Sequence, residues 1–279
     1  MAARGITIGV DIGASKVFAA RIDNGRITAQ SRIFFAGHGK ERVLQCIFSA
    51  IENVRVGRPV SRIGAGVPCV VKDRKILRCF NIPVLEGIRL DKILAKKYRA
   101  RVSFMNDTNA MLAHELRTRP KLRHKRVLFI AWGTGIGGAL AINGRLQEGA
   151  HGLCGEIGHS ILCKEQMLSF EDYAAGRAIC PGKKTLWVSD MIKQKNSRKA
   201  KQLFLEAGNA LGAAILNVAY LFDPDVVIVG GGLHPLLPHI LPHLRSVLSK
   251  HGLTKDISKI PIIRSHAASE AGVLGTVLF

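Results

Sequence analysis

The sequence predicts an α/β protein built from two similar domains, and two observations carry that prediction. A strand, a glycine-bearing turn and a second strand open the chain at residues 5–23, and the same pattern returns from residue 127 around Gly133, Gly135, Gly137 and Gly138. The length, 279 residues, suits about two domains of ordinary size, and 47% of the residues are apolar, enough for a sizeable core. Glycine lets backbone N–H groups approach an anion closely, so the repeated turn points to two domains facing each other across a phosphate.

The elements follow in order. Residues 5–12 and 17–23 read as strands around Gly13-Ala14-Ser15, and Asp23-Asn24-Gly25 is a hairpin signal leading to a strand at 26–34. Val43, Ile47 and Ile51 give residues 40–55 a helical period, and a short apolar strand at 62–67 stops at Pro68. A helix at 90–98 precedes a strand at 102–105, which delivers Asn106 and Asp107 to the start of a helix at 108–117. After the second strand-turn-strand unit, whose hairpin is Asn143-Gly144, residues 167–179 and 201–222 read as helices. Leu203, Ala207, Leu211, Ile215 and Val218 form one apolar stripe on the latter. Asp223-Pro224 breaks that helix before a buried-type strand at 225–229, which ends in Gly230-Gly231-Gly232. Helices at about 235–250 and 268–279, separated by a strand at 260–264, complete the reading.

The formal net charge of +21 produces a positive field that attracts polyanions. Much of the excess lies in two runs, 117–126 and 193–201, with no interleaved aromatics, so they read as solvated basic surface and nucleic acid is not the expected partner. Six cysteines, at 46, 69, 79, 154, 163 and 180, contain no CxxC pair and fit free thiols in a reducing cytoplasm better than a disulfide frame. The apolar stretches at 127–142 and 211–222 fall short of the roughly 20 residues a membrane span needs, so no membrane partner is expected.

Residues 131–159 carry the densest chemical signal. Behind Gly149, Gly152 and Gly155, Glu156 and His159 suit a vicinal diol, because a carboxylate accepts two hydroxyl protons while a neutral imidazole accepts one and donates one. Alone, such a pair is equally a helix-face contact. Asp107, at the end of a strand, is the candidate general base for transfer to a hydroxyl; an Asn-Asp helix cap is the structural alternative.

In order and spacing, six motifs resemble the ROK family of sugar kinases and sugar-responsive repressors. They are Asp11-Ile-Gly-Ala-Ser-Lys16, Gly64-Ala-Gly-Val-Pro68, Asn106-Asp-Thr-Asn109, the 131–159 block, Glu171-Asp-Tyr-Ala-Ala-Gly176, and the segment from Asp223 to Gly232. The resemblance implies two actin-like (ribonuclease H-like) domains flanking a cleft. The smaller spans residues 1–110, with the C-terminal helix at 268–279 as its candidate completion, and the larger spans 111–267. It further implies ATP-dependent phosphorylation of a hexose hydroxyl, at C6 of glucose or a close relative, with Asp107 as base. Substrate-binding residues would be Asn81, Asn106, Asp107, Glu156, His159 and Glu171. The nucleotide would meet Asp11, Gly13, Ser15, Lys16, Gly133, Thr134, Gly135, Gly231 and Gly232, with Asp11 holding Mg²⁺ through water. A homodimer is common among relatives.

The chain departs from the family pattern in one region. Many relatives carry a cysteine-rich zinc insert after the histidine, whereas only Cys163 lies between His159 and Glu171, too few ligands to close a zinc tetrahedron. No zinc is therefore expected, and the shortened loop leaves the placement of Glu171 open. Cys69 stands where relatives often have glycine and would reshape the sugar pocket. Two other functions stay open: a sugar-binding regulator without turnover, although the family's repressors place a helix-turn-helix ahead of the first strand and none is read here, and a hexokinase that uses polyphosphate as donor.

Overall fold

The structure, a computed structural model, describes residues 5–35, 39–179, 187–266 and 270–278. The chain divides into two compact units, one comprising residues 1–118, 148–153 and 270–279, the other residues 119–147 and 154–269.

The first unit opens with the antiparallel meander β1 (Ile6–Ile12), β2 (Lys16–Asp23) and β3 (Arg26–Phe34), with Asn24 and Gly25 at positive φ in the hairpin turn. Helix α1 (Lys40–Arg55) leads to β4 (Val60–Val67). A small hairpin follows, β5 (Val70–Lys72) and β6 (Lys75–Arg78), and then α2 (Leu90–Tyr98), β7 (Arg101–Asn106) and α3 (Asp107–Thr118). The sheet order is β3-β2-β1-β4-β7, with β1, β4 and β7 parallel. Ile6, Ile8, Val10 and Ile12 point to one face, where they pack with Val43, Ile47 and Ile51 of α1 and Leu90 and Leu94 of α2.

The second unit repeats the plan with β8 (Arg126–Trp132), β9 (Ile136–Ile142) and β10 (Arg145–Gln147), again joined by tight turns. A two-stranded piece, β11 (Ile161–Cys163) and β12 (Leu168–Ser169), precedes α4 (Phe170–Ala174), α5 (Gly176–Ile179), α6 (Trp187–Lys193) and α7 (Arg198–Phe222). The unit closes with β13 (Val226–Gly230), α8 (Leu237–His251) and β14 (Ile262–Arg264), and its main sheet runs β10-β9-β8-β13-β14. Helix α7 is long and apolar enough to cross a membrane by composition, but most of it is buried inside this unit, where Leu203, Ala207, Leu211 and Ile215 join the core around Trp132. The last helix, α9 (Ala271–Gly275), belongs to the first unit and sets Val273 against Phe18 and Ala20 on the sheet face opposite α1.

Three expectations are corrected. The single helix expected at 167–179 is a strand and two short helices: a Ser169/Asp172 capping box starts α4 only at Phe170, and Ala175 is extended because the next two amides leave the helix to bond the carbonyls of Gly133 and Thr134. The helix expected at 268–279, of which 268, 269 and 279 lie outside the described residues, is confined to Ala271–Gly275. There the Ser103 hydroxyl donates to the Thr276 carbonyl (2.7 Å) and holds the chain end on β7. Cys69 and Cys79 form a disulfide, contrary to the expectation of free thiols; Cys46, Cys154 and Cys163 are free, and Cys180 lies outside the described residues. The hairpin β5–β6 returns the chain on itself and so brings together two buried sulfurs ten positions apart.

Candidate functional site

Parallel pairing in the first unit places the ends of β1, β4 and β7 at one sheet edge, where Asp11 is level with Gly66 and, through it, with Met105. Asn106 ends β7 and Asp107 begins α3, so both acids sit at that edge. Burial, reinforced by the negative charge of Asp107 and only partly offset by Lys16, pushes the Asp11 carboxyl up to about 7. Burial likewise raises Asp107, against hydrogen bonds from Thr108 that favour its ionised form. Those bonds, from the Thr108 backbone N–H (2.7 Å) and hydroxyl (3.2 Å), all fall on Oδ1.

Asn106 is the helix cap. Its Oδ1 accepts the N–H groups of Thr108 (2.8 Å) and Asn109 (3.2 Å), while Nδ2 donates to the Cys69 carbonyl (3.2 Å). Asp107 Oδ1 shares the Thr108 N–H with that cap, and Asn106 spends most of its bonding capacity on the first turn of α3 and the Cys69 carbonyl. At the first turn, Gly13 N–H donates to the Lys16 carbonyl (2.8 Å), closing a tight reversal that leaves Ser15 and Lys16 exposed. Asn81 is exposed in the turn between Cys79 and Ile82.

The second unit gathers the other candidates. The turn between β8 and β9 is closed by Gly133 N–H donating to the Gly135 carbonyl (3.0 Å). Gly231 adjoins it at φ +82°, where a Cβ would lie 2.4 Å from the Trp132 carbonyl, so only glycine lets the two strand ends meet. A Cβ on Gly133 would lie 3.7 Å from Gly232 N, which places the two glycine turns side by side. Trp132 anchors the assembly from below through Nε1 to the Ala174 carbonyl (2.7 Å).

Glu156 and His159 flank a short 3₁₀ turn, with Nε2 of His159 3.9 Å from Oε2 of Glu156 and both side chains reaching solvent. Gly155 enters that turn at φ +101°, its α-carbon so close to the Gly138 carbonyl that a Cβ would lie 2.6 Å away. Glu171 is buried, accepts the Ile136 N–H (2.5 Å) and pairs with Arg177. Among the described residues no group of three or more His, Cys, Asp or Glu side chains is arranged to hold a metal, and the Cys163 thiol lies against Glu165 and Gln166.

The sequence matches the ROK family over residues 7–279. The chain belongs to that family. It is 30% identical over 308 aligned residues to a glucokinase of Streptomyces coelicolor, covering 97% of this chain and 96% of that protein. It is also 23% identical to a xylose repressor of Caldicellulosiruptor bescii, covering 98% of this chain and 77% of the repressor. A crystal structure of a ROK family glucokinase from Streptomyces griseus in complex with glucose and AMPPNP superposes with a TM-score of 0.81 at 25% identity, covering 98% of both chains. The fold of this ROK protein is accordingly that of the sugar kinases, the actin-like α/β fold. Arg177 and the Cys69–Cys79 bridge are the features that sequence reasoning missed. The only local sign of the first was an arginine directly after the Glu171-to-Gly176 motif, and nothing local signalled the second.

Proposed function

We propose that this ROK protein transfers the γ-phosphoryl group of ATP to a hexose hydroxyl, at C6 of glucose or a close relative, with Asp107 as general base. The observation that carries the reading is the state of Asp107: a carboxylate on a strand-to-helix junction, held at Oδ1 by the N–H and hydroxyl of Thr108 and made more basic by burial. A base works best when its pKa lies near the working pH, and burial moves a carboxylate in that direction. Asp107 accepts the hydroxyl proton as the sugar oxygen attacks the γ-phosphorus; the bond to the β,γ-bridging oxygen breaks and ADP leaves. Glu156, His159 and the one remaining side-chain N–H of Asn106 are the groups we assign to neighbouring hydroxyls, and the turns at 13–16, 133–135 and 231–232 offer the nucleotide N–H donors.

Asp11 fits a magnesium site. A largely desolvated carboxylate that no cation among the described residues bonds, further burdened by Asp107, is what a divalent ion would neutralise. When bound, the ion would draw off negative charge from the phosphates. An ATP-using sugar kinase belongs in the cytoplasm, and that is where we place it.

A coupled ADP-release screen over glucose, mannose, fructose, allose and N-acetylated hexoses tests the reading. Hexose-dependent ADP release abolished in Asp107→Asn is the outcome it requires, and no release with any sugar would reject it. The repressor relative favours a second reading, a sugar sensor without turnover. Calorimetric sugar binding with no ADP formed would select that one.

A further inference from the structure

In the first unit the hairpin β5–β6 adjoins two of the residues assigned to the hexose, and its sulfur chemistry plays no part in the proposed reaction. Val67, the last residue of β4, lies level with Asn106 at the end of β7, so the chain leaves β4 beside that asparagine. The Cys69 carbonyl then accepts one N–H of the Asn106 amide (3.2 Å). That bond fixes an orientation, because Oδ1 of the same amide is taken by the N–H groups of Thr108 and Asn109 and a single N–H is left for a ligand. Asn81 lies just past β6, in the turn closed by Ile82 N–H donating to the Cys79 carbonyl (3.3 Å).

The disulfide joins these two places. One sulfur belongs to the residue whose carbonyl orients Asn106, the other to the residue two positions before Asn81. Glu86 supports the β6 side, accepting the Cys79 N–H (2.9 Å) and pairing with Arg78 (3.3 Å), while the covalent tie from there to Cys69 is the bridge. The hairpin also seats residues 148–153 of the same unit. Lys72 Nζ donates to the Gly149 carbonyl (3.0 Å), and Gly152, at φ +73°, comes so near Val71 that a Cβ would lie 2.5 Å from its carbonyl oxygen. The chain reaches Glu156 four positions later.

We propose that Cys69 and Cys79 are positioning residues for the hexose, and that reduction of their bridge by a dithiol lowers hexose affinity while sparing the nucleotide. The inference rests on the kinase reading and adds a redox control to it. In a reducing cytoplasm, where that reading places the protein, disulfides are mostly transient and redox-sensing. A thiolate of the dithiol attacks one bridge sulfur and the S–S bond breaks. The second thiol then displaces the mixed disulfide, so that two electrons and two protons end on Cys69 and Cys79 and the reductant leaves as a cyclic disulfide. Both sulfurs are buried, so the attack waits on a local opening of this short hairpin.

Steady-state kinetics on the full chain, oxidised and after dithiothreitol, read the effect beside a count of free thiols in denaturant. Freeing the Cys69 carbonyl removes the value of about one hydrogen bond, so reduction should release two further thiols and raise the hexose KM roughly 3- to 10-fold, with the ATP KM within about twofold. Reoxidation should restore the lower value. Cys69→Ser combined with Cys79→Ser should show the higher hexose KM in both conditions and ignore the reductant. Release of two thiols with an unchanged hexose KM overturns the proposal, as does a parent with no bridge to reduce or a reduction that raises both KM values equally. If the double variant fails to fold, the parent decides: a hexose KM restored by reoxidation supports positioning, and one that stays high overturns it. A parent that phosphorylates no hexose in either state defeats the kinase reading and this inference together. Robust phosphorylation indifferent to reductant defeats the inference alone.

Discussion

Replacing Asp11 with asparagine should make the ligand-free protein more stable while removing activity. The native fold holds the Asp11 proton up to about pH 7, whereas an unfolded carboxyl releases it near 3.8. Between those values the folded chain carries more protons than the unfolded one, so stability falls as pH rises through the window and levels off above it. A displacement from 3.8 to about 7 corresponds to a cost on the order of 4 kcal/mol at pH 8, by the relation of about 1.4 kcal/mol per pKa unit. At pH 5 only part of the window has been crossed, and the cost drops to on the order of 1.5 kcal/mol. Asparagine has nearly the same shape and no charge to desolvate, so the variant escapes the cost at both pH values. Scanning calorimetry without nucleotide or divalent ion, at pH 5 and pH 8, should find the variant melting roughly 5–10 °C above the parent at pH 8 and much closer to it at pH 5. A variant that melts at or below the parent at pH 8, or whose advantage is equal at the two pH values, would refute the claim that this carboxylate is buried at a cost.

Three further outcomes follow from the same geometry. Asp107→Asn should lower kcat by roughly 10²- to 10⁴-fold with little change in hexose KM, measured by coupled ADP release, and turnover near the parent level would remove Asp107 as base. Replacing Cys69 and Cys79 together by serine opens the short covalent loop around β5–β6 and should cost about 2–3 kcal/mol in urea unfolding; added reductant should lower the parent's stability and leave the variant's unchanged. Gly231→Ala forces a side chain into positive φ against the Trp132 carbonyl and should cost about 2 kcal/mol or more in thermal melts. It should also weaken ATP binding, because the neighbouring glycine turn loses its support.

Local signals in the sequence were read well where local physics decides the outcome. The strands expected at 5–12, 17–23 and 26–34 match β1 to β3 within a residue, since alternation and Asn-Gly turn chemistry act over a few positions. The helix at 90–98 coincides with α2 for the same reason. What escaped was set by partners distant in sequence. Ala175 interrupts an otherwise helical stretch because the amides after it serve carbonyls some forty positions earlier, a demand no periodicity encodes. The cysteine pair was missed because spacing arithmetic looks for CxxC, while here an unrecognised hairpin supplies the proximity. Asn106 and Asp107 stand out together in the sequence, but nothing local shows that both accept the Thr108 N–H while Asn106 also takes that of Asn109.

The same coordinates offer a physical test for sorting candidate residues. A polar group whose bonds are met inside the fold is explained by the fold; one held away from water with its bonding capacity open costs stability, and only a ligand returns that cost. Asn106 falls largely in the first class, its oxygen spent on two backbone amides and one of its N–H groups on the Cys69 carbonyl. Asp11 belongs to the second, its carboxyl pushed well above the usual carboxylate range by burial and by the neighbouring Asp107. Motif matching ranks Asn106 and Asp11 alike as site residues; counting satisfied bonds separates them, and the melting response of Asp11→Asn measures whether that criterion is right.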